Sequence, residues 1–151
     1  MRNGTGSFRE LGMGLPVTWQ RWVWWSDCVK EDGRLKKRKW RKRKGRCYEL
    51  AYLTQQDNPD WTLVHGEADD GHGRAIGHAW IEKEDEVYDA VLDLIFLKAA
   101  YRLDRWAAVF EEYTRTEAAL LLVKTKKMGP WTSDEISSVL ETSAPEPSDK
   151  K

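Results

Sequence analysis

Gly77-His78-Ala79-Trp80-Ile81-Glu82-Lys83-Glu84-Asp85-Glu86-Val87-Tyr88-Asp89 is the stretch whose reading decides the fold. Residues 76–83 and 87–91 each alternate or run apolar with β-branched and aromatic residues. A short acidic turn separates them, so the segment predicts a β-hairpin. If Glu82 pairs with Val87, His78 stands opposite position 91 and Asp89 becomes its diagonal neighbour on the same face. A register slip of one residue would put them on opposite faces.

Upstream of the hairpin, Cys47, Leu50 and Ala51 have helical spacing, and Asp57-Asn58-Pro59-Asp60 ends the run. Residues 61–68 (WTLVHGEA) predict a strand, and residues 69–74 (DDGHGR) a loop. Downstream, Leu103, Trp106, Ala107 and Phe110 recur at i, i+3, i+4 and i+7, which predicts that the rest is helical. Thr114 with Glu117 reads as a capping box before a helix over 118–127, and Gly129-Pro130 as its stop. Thr132 with Glu135 opens a last helix near 133–141. Trp61, Trp106 and Trp131 are expected in the core.

Together these elements predict one α+β domain over residues 45–141. A Cys-bearing helix packs on a small antiparallel sheet, with helices towards the C terminus. A chain of 151 residues, 40% apolar with nine Trp, can build one such core. Residues 1–44 form a flexible or accessory segment. In it Trp22, Trp25 and Val29 fall at helical spacing within residues 15–33. The tail 142–151 (TSAPEPSDKK) is disordered by composition.

Charge and cysteine usage narrow the function. Ten Lys or Arg lie between Arg34 and Arg46 with no acid, leaving 15 basic residues against 25 acidic ones elsewhere. A charge run of this kind is expected to stay solvated. Its alternative is a nucleic-acid contact through Lys37, Arg38, Lys39, Arg41, Lys42 and Arg43, with Trp40 stacking on a base. Two cysteines, Cys28 and Cys47, make no disulfide framework. No stretch has the length of a membrane span or the layout of a signal peptide, so a cytoplasmic protein is expected, in host cytoplasm if phage-encoded.

The chemistry concentrates in three residues. Cys47 opens a helix, where free backbone N–H groups and the helix dipole favour a thiolate. His78 can take the thiol proton and later deliver it to a leaving group. Asp89 can hold that imidazole in one tautomer. His65 and Trp80 are expected near the substrate. His65, His72, His78 and Cys47 match no common zinc-ligand spacing, so neither metal nor other cofactor is expected.

The motifs Gly45-x-Cys47-x-x-x-Ala51 and His78-Ala79-Trp80-Ile81-Glu82, with Asp89 after the next strand, resemble the transglutaminase-like branch of the papain-like cysteine superfamily. Ala90 stands where that family usually has Pro after the Asp. The wider pattern, with Pro59-x-Trp61, Val64-His65-Gly66 and Gly129-Pro130-Trp131, also resembles small bacterial and phage proteins. The resemblance implies a papain-like core, with Cys47 as nucleophile, His78 as base and Asp89 as orienting acid. It implies a hydrolase or acyltransferase acting on an amide or other acyl bond of a peptide, protein or similar substrate. The competing reading is a non-catalytic binding module of the same fold.

Overall fold

The computed structural model describes residues 35–141. Cys28, the helix expected within 15–33 and the tail from 142 lie outside the described residues. The described chain is α+β: five antiparallel strands and four helices. In chain order these are α1 (Cys47–Asp57), β1 (Thr62–Asp69), β2 (Ala75–Lys83), β3 (Glu86–Asp89), β4 (Leu94–Leu97), α2 (Lys98–Asp104), β5 (Ala108–Tyr113), α3 (Arg115–Thr125) and α4 (Ser133–Leu140). The sheet order is β4-β3-β2-β1-β5. Among the described residues, no helix is long and apolar enough to cross a membrane.

The hairpin forms in the expected register. Glu82 pairs with Val87 and Lys83 with Glu86, so only Glu84 and Asp85 make the turn. Glu84 supplies the left-handed backbone that a two-residue turn needs, with φ of 51°. The β2–β3 ladder ends at Ile81 opposite Tyr88, while β1 pairs with β2 as far as Asp69 opposite Ala75. Residues 75–80 of β2 therefore have no β3 partner.

Period-two alternation sends side chains of β2 to two cores. Ala79 and Ile81 join Leu50, Ala51, Leu63, Tyr88, Tyr113, Leu121, Trp61 and Trp131 on the face covered by α1, α3 and α4. Trp80 joins Val64, Val87, Phe96 and Tyr101 on the other face, under α2. Buried Gln55 ties α1 to the sheet, donating from Nε2 to the carbonyls of Tyr113 (2.8 Å) and Trp61 (3.3 Å). Both predicted capping boxes form, Thr114 with Glu117 and Thr132 with Glu135. α3 stops at Lys126, in a left-handed cap, before Gly129-Pro130.

Residues 94–113 correct the helical expectation. They fold as strand β4, the short helix α2 and strand β5. The Leu103-Trp106-Phe110 period is not a buried helical face: these side chains are 72%, 67% and 59% exposed. Trp106 turns the chain at φ of 47°, so it cannot continue a helix, and it is not a core residue. β5 is an edge strand with a bulge opposite His65 and Gly66. Gly66 itself is needed there, since a Cβ would stand 2.0 Å from the Ala108 carbonyl oxygen and 2.9 Å from the Trp80 ring.

The basic run is only partly as expected. Its described lysines, Arg38 and Arg41 are exposed and Arg43 and Arg46 half-buried, but the backbone lies along the domain. Leu35 is buried in the larger core. Asn58 clamps Lys36, accepting from its N–H (2.8 Å) and donating to its carbonyl (3.0 Å). The ordered body thus begins before residue 45.

Candidate active site

The site forms where the β2–β3 ladder stops. α1 packs on one face of the sheet, and its first residue, Cys47, reaches the unpaired edge of β2. Its Sγ lies 4.0 Å from the Gly77 carbonyl oxygen. Gly77 leaves the approach clear: a Cβ there would meet the Tyr48 hydroxyl at 2.9 Å. His78 projects towards the opposite face, beside Trp80, and the Cys47 thiol is near enough to its ring at this edge to act on its charge. Cys47 is half-buried, and its helix has no side-chain cap at its N terminus, so the first-turn N–H groups are not consumed by one.

His78 is 5% exposed and its Nε2 lies 2.8 Å from Asp89 Oδ2. With Nε2 so engaged, Nδ1 is the ring nitrogen not held by Asp89. Asp89, fully buried at the end of β3, is held from three directions. Oδ1 accepts from the N–H groups of Val91 (2.9 Å) and Leu92 (3.3 Å), an Asx turn that ends the strand. Oδ2 accepts from His78 and from the Tyr101 hydroxyl (2.8 Å), which descends from α2.

These contacts set the charges. Burial alone would lower the His78 pKa, but the hydrogen bond and charge of Asp89, with the Cys47 thiol close by, push it up to about 9. Burial alone would raise the Asp89 carboxyl, but the hydrogen bond and charge of His78 and the Tyr101 hydroxyl hold it below its ordinary value. The Tyr101 hydroxyl is driven well above its usual range by burial and by the Asp89 charge, so it stays a donor.

Of the three residues singled out in the sequence, His78 and Asp89 are hydrogen-bonded, and Cys47 lies beside them against the Gly77 carbonyl. Two other expected site residues are not part of this group. Trp80 is fully buried, so it does not line a substrate path; its ring stacks on His78 (centroids 6.1 Å apart) and packs at a tilt against Tyr101 (5.5 Å). Its indole N–H donates to Glu82 Oε1 (2.8 Å). His65 points to the other core, packed among Tyr48, Tyr113 and Trp131 at 4.8–5.0 Å. Its Nε2 is buried without a partner, and burial lowers its pKa to about 4. It is a neutral core residue, not a substrate contact. His72 is exposed in the 69–74 loop, and among the described residues no group of His, Cys, Asp or Glu is arranged to hold a metal ion.

Tyr101 is a site residue that the sequence did not flag, and Arg43, expected to face a nucleic acid, is instead turned towards the site. Arg43 donates to the Ala90 carbonyl and pairs with Asp93 (2.9 Å), pinning the loop that follows Asp89. Tyr88 donates to the same Asp93 (2.7 Å). Glu82, which parity alone would leave at a solvated strand end, is buried and paired with Lys98 (2.7 Å). Trp40 is not free to stack on a base. It is half-buried against the core, with the guanidinium groups of Arg38 and Arg46 5.9 and 5.6 Å from its ring centroid. Arg38 also pairs with Asp57. Two polar clefts of about 280 and 450 Å³ lie at the β2–β3 turn end, lined by Asp60, Lys83 and Glu84, and neither includes a triad residue.

The arrangement is that of a thiol, an imidazole and a carboxylate aligned at a helix start. The chain matches no family model, no curated protein and no solved structure.

Proposed function

We propose that the protein is a cysteine-nucleophile hydrolase or acyltransferase with a papain-like core of the transglutaminase-like type. The observation that supports this most is His78, hydrogen-bonded to buried Asp89, with half-buried Cys47 at the uncapped start of α1 reaching the neighbouring Gly77 carbonyl. An imidazole with a pKa of about 9 is protonated at neutral pH, so it can serve as a proton donor to a leaving group.

The thiolate attacks an acyl carbon, and the carbonyl π electrons move to its oxygen. The backbone N–H groups at the start of α1 face the developing oxyanion. As the tetrahedral intermediate collapses, the bond to the leaving group breaks and His78 gives that group its proton. A thioester on Cys47 remains. Water or an amine then attacks it, passing a proton back to His78 as the C–S bond breaks. Asp89 keeps the ring oriented throughout, and Tyr101 keeps Asp89 in place.

The test is selective acylation and alkylation. p-Nitrophenyl acetate is expected to leave one acetyl group on Cys47, with a burst of nitrophenolate. Iodoacetamide is expected to label Cys47 faster than Cys28, and His78→Ala to slow that labelling about tenfold or more. Equal labelling of the two thiols, insensitive to His78, would refute the reading and leave a non-catalytic binding module of the same fold.

A further inference from the structure

The basic run is anchored at several points, yet part of it remains unspent. Leu35 is buried, Asn58 holds Lys36, Trp40 packs on the core, and Arg43 is fixed to the loop after Asp89. Arg38 and Arg46 are committed to Asp57 and Glu49. Lys39, Arg41, Lys42 and Lys44 are exposed and have no acidic partner among the described residues. Four like charges are thus held close together on a domain otherwise rich in acid. Their mutual repulsion is uncompensated within the fold.

Their placement is specific. The Lys42 carbonyl accepts from Arg46 (3.0 Å), and the Arg46 N–H donates to the Arg43 carbonyl (3.2 Å). Gly45, at φ of 79°, allows this turn. The strap is thereby folded against the first turn of α1, where Cys47 sits. The other border of the thiol is the exposed stretch Ala75-Ile76-Gly77, with exposed Glu67 opposite Gly77 on β1. The approach to the sulfur has a positive side and an acidic side.

We propose that the acyl substrate of Cys47 is a polypeptide segment carrying Asp or Glu side chains, which lie on Lys39, Arg41, Lys42 and Lys44. This rests on the thiol-enzyme reading above. A polypeptide fits better than a nucleic acid for two reasons. The nucleophile needs an acyl carbon, which the nucleic-acid backbone lacks. Single-strand binding also uses a free aromatic platform, and Trp40 is flanked by Arg38 and Arg46 instead. Exposed charges contribute little singly, but several within a screening length of about 8 Å raise the local concentration and arrival rate of an anionic partner.

The test compares an anionic with a neutral thiol reagent, read at the Cys47 peptide by mass spectrometry. The full-length protein and a K39Q/R41Q/K42Q/K44Q variant react with iodoacetate and with iodoacetamide. The iodoacetate-to-iodoacetamide rate ratio is expected to fall about threefold or more in the variant, with the iodoacetamide rate unchanged. In the unmodified protein, about 1 M salt should bring the ratio down to the variant's value. Hexaglutamate should protect Cys47 from iodoacetamide in the original protein and not in the variant, while hexalysine should not protect either. An unchanged ratio, or no protection by hexaglutamate, overturns the proposal. Protection by an oligothymidylate at lower concentration than hexaglutamate overturns it in favour of nucleic acid. Slow, His78-independent reaction with iodoacetamide would instead sink the thiol-enzyme reading, a result the charge ratio does not depend on.

Discussion

Replacing Asp89 by Asn tests the electrostatic core of the site with almost no change of volume. The side-chain oxygen can keep the two backbone N–H bonds to Val91 and Leu92. The amide nitrogen would then face the Tyr101 hydroxyl and His78 Nε2, where two donors now point at an acceptor. The imidazole loses its counter-charge, and the burial that already lowers its pKa is left opposed only by the thiol. Its pKa should drop from about 9 to 6.5 or below. At roughly 1.4 kcal/mol per unit, the lost preference for the charged ring is on the order of 3 kcal/mol. At a pH of about 7.5 the protonated fraction should fall from nearly all rings to about one in ten, and Cys47 alkylation about tenfold with it. The assay is the pH–rate profile of iodoacetamide at the Cys47 peptide, with the His78 pKa followed by nitrogen-detected NMR. Linkage gives an independent reading. A base whose folded pKa is raised adds stability fully present below 6.5 and lost as pH rises through about 9. The original protein should therefore lose Tm across that window, and the Asn variant should not. Retention of the original alkylation rate and alkaline limb by Asp89→Asn would refute the reasoning.

Gly66→Ala should destabilise by about 2 kcal/mol or more, because the new methyl meets a backbone carbonyl that cannot rotate away; denaturant melts measure it. Since Gly66 is the ladder partner of His78, Cys47 labelling should slow as well. His65→Leu removes a buried nitrogen without a partner, so stability should change by no more than about 1 kcal/mol and labelling should be unchanged. His65 has a lowered folded pKa, so its contribution is present above 6.5 and lost as pH falls through about 4; the variant should lack that slope in Tm. Trp106→Ser should move stability by less than about 0.5 kcal/mol, whereas Trp61→Ala should cost about 3–5 kcal/mol by thermal or urea melts.

Local signals made part of this legible. α1, the hairpin and both capping boxes depend on neighbours within a few residues, and each formed where its pattern lay. The His78–Asp89 hydrogen bond shared that advantage, since a hairpin pair on one face is set by spacing and register. Residues 94–113 were misread because Leu103, Trp106, Ala107 and Phe110 imitate a helical period. On an exposed, bulged edge strand nothing enforces alternation, so residue type misleads. Tyr101, and the place of Arg43 beside the site, were illegible for a different reason. Their partners are Asp89 and the loop behind it, and only the closed fold brings them together. Trp40 was misjudged similarly: a lone aromatic among cations looks available until its two arginines are seen to flank it.

The truncated ladder between β2 and β3 acts as a doorway cut through a wall. Helix and histidine belong to opposite rooms of the molecule, and they communicate only because three pairs, Ile81 to Lys83 with their partners, are all that this seam contains. The seam's register would put Trp80 against Asp89 if it ran on, so His78 and Asp89 share a face whether or not that rung forms. What the early end of the seam supplies is an open flank along residues 75–80 of β2, beside which the first turn of α1 sets its sulfur.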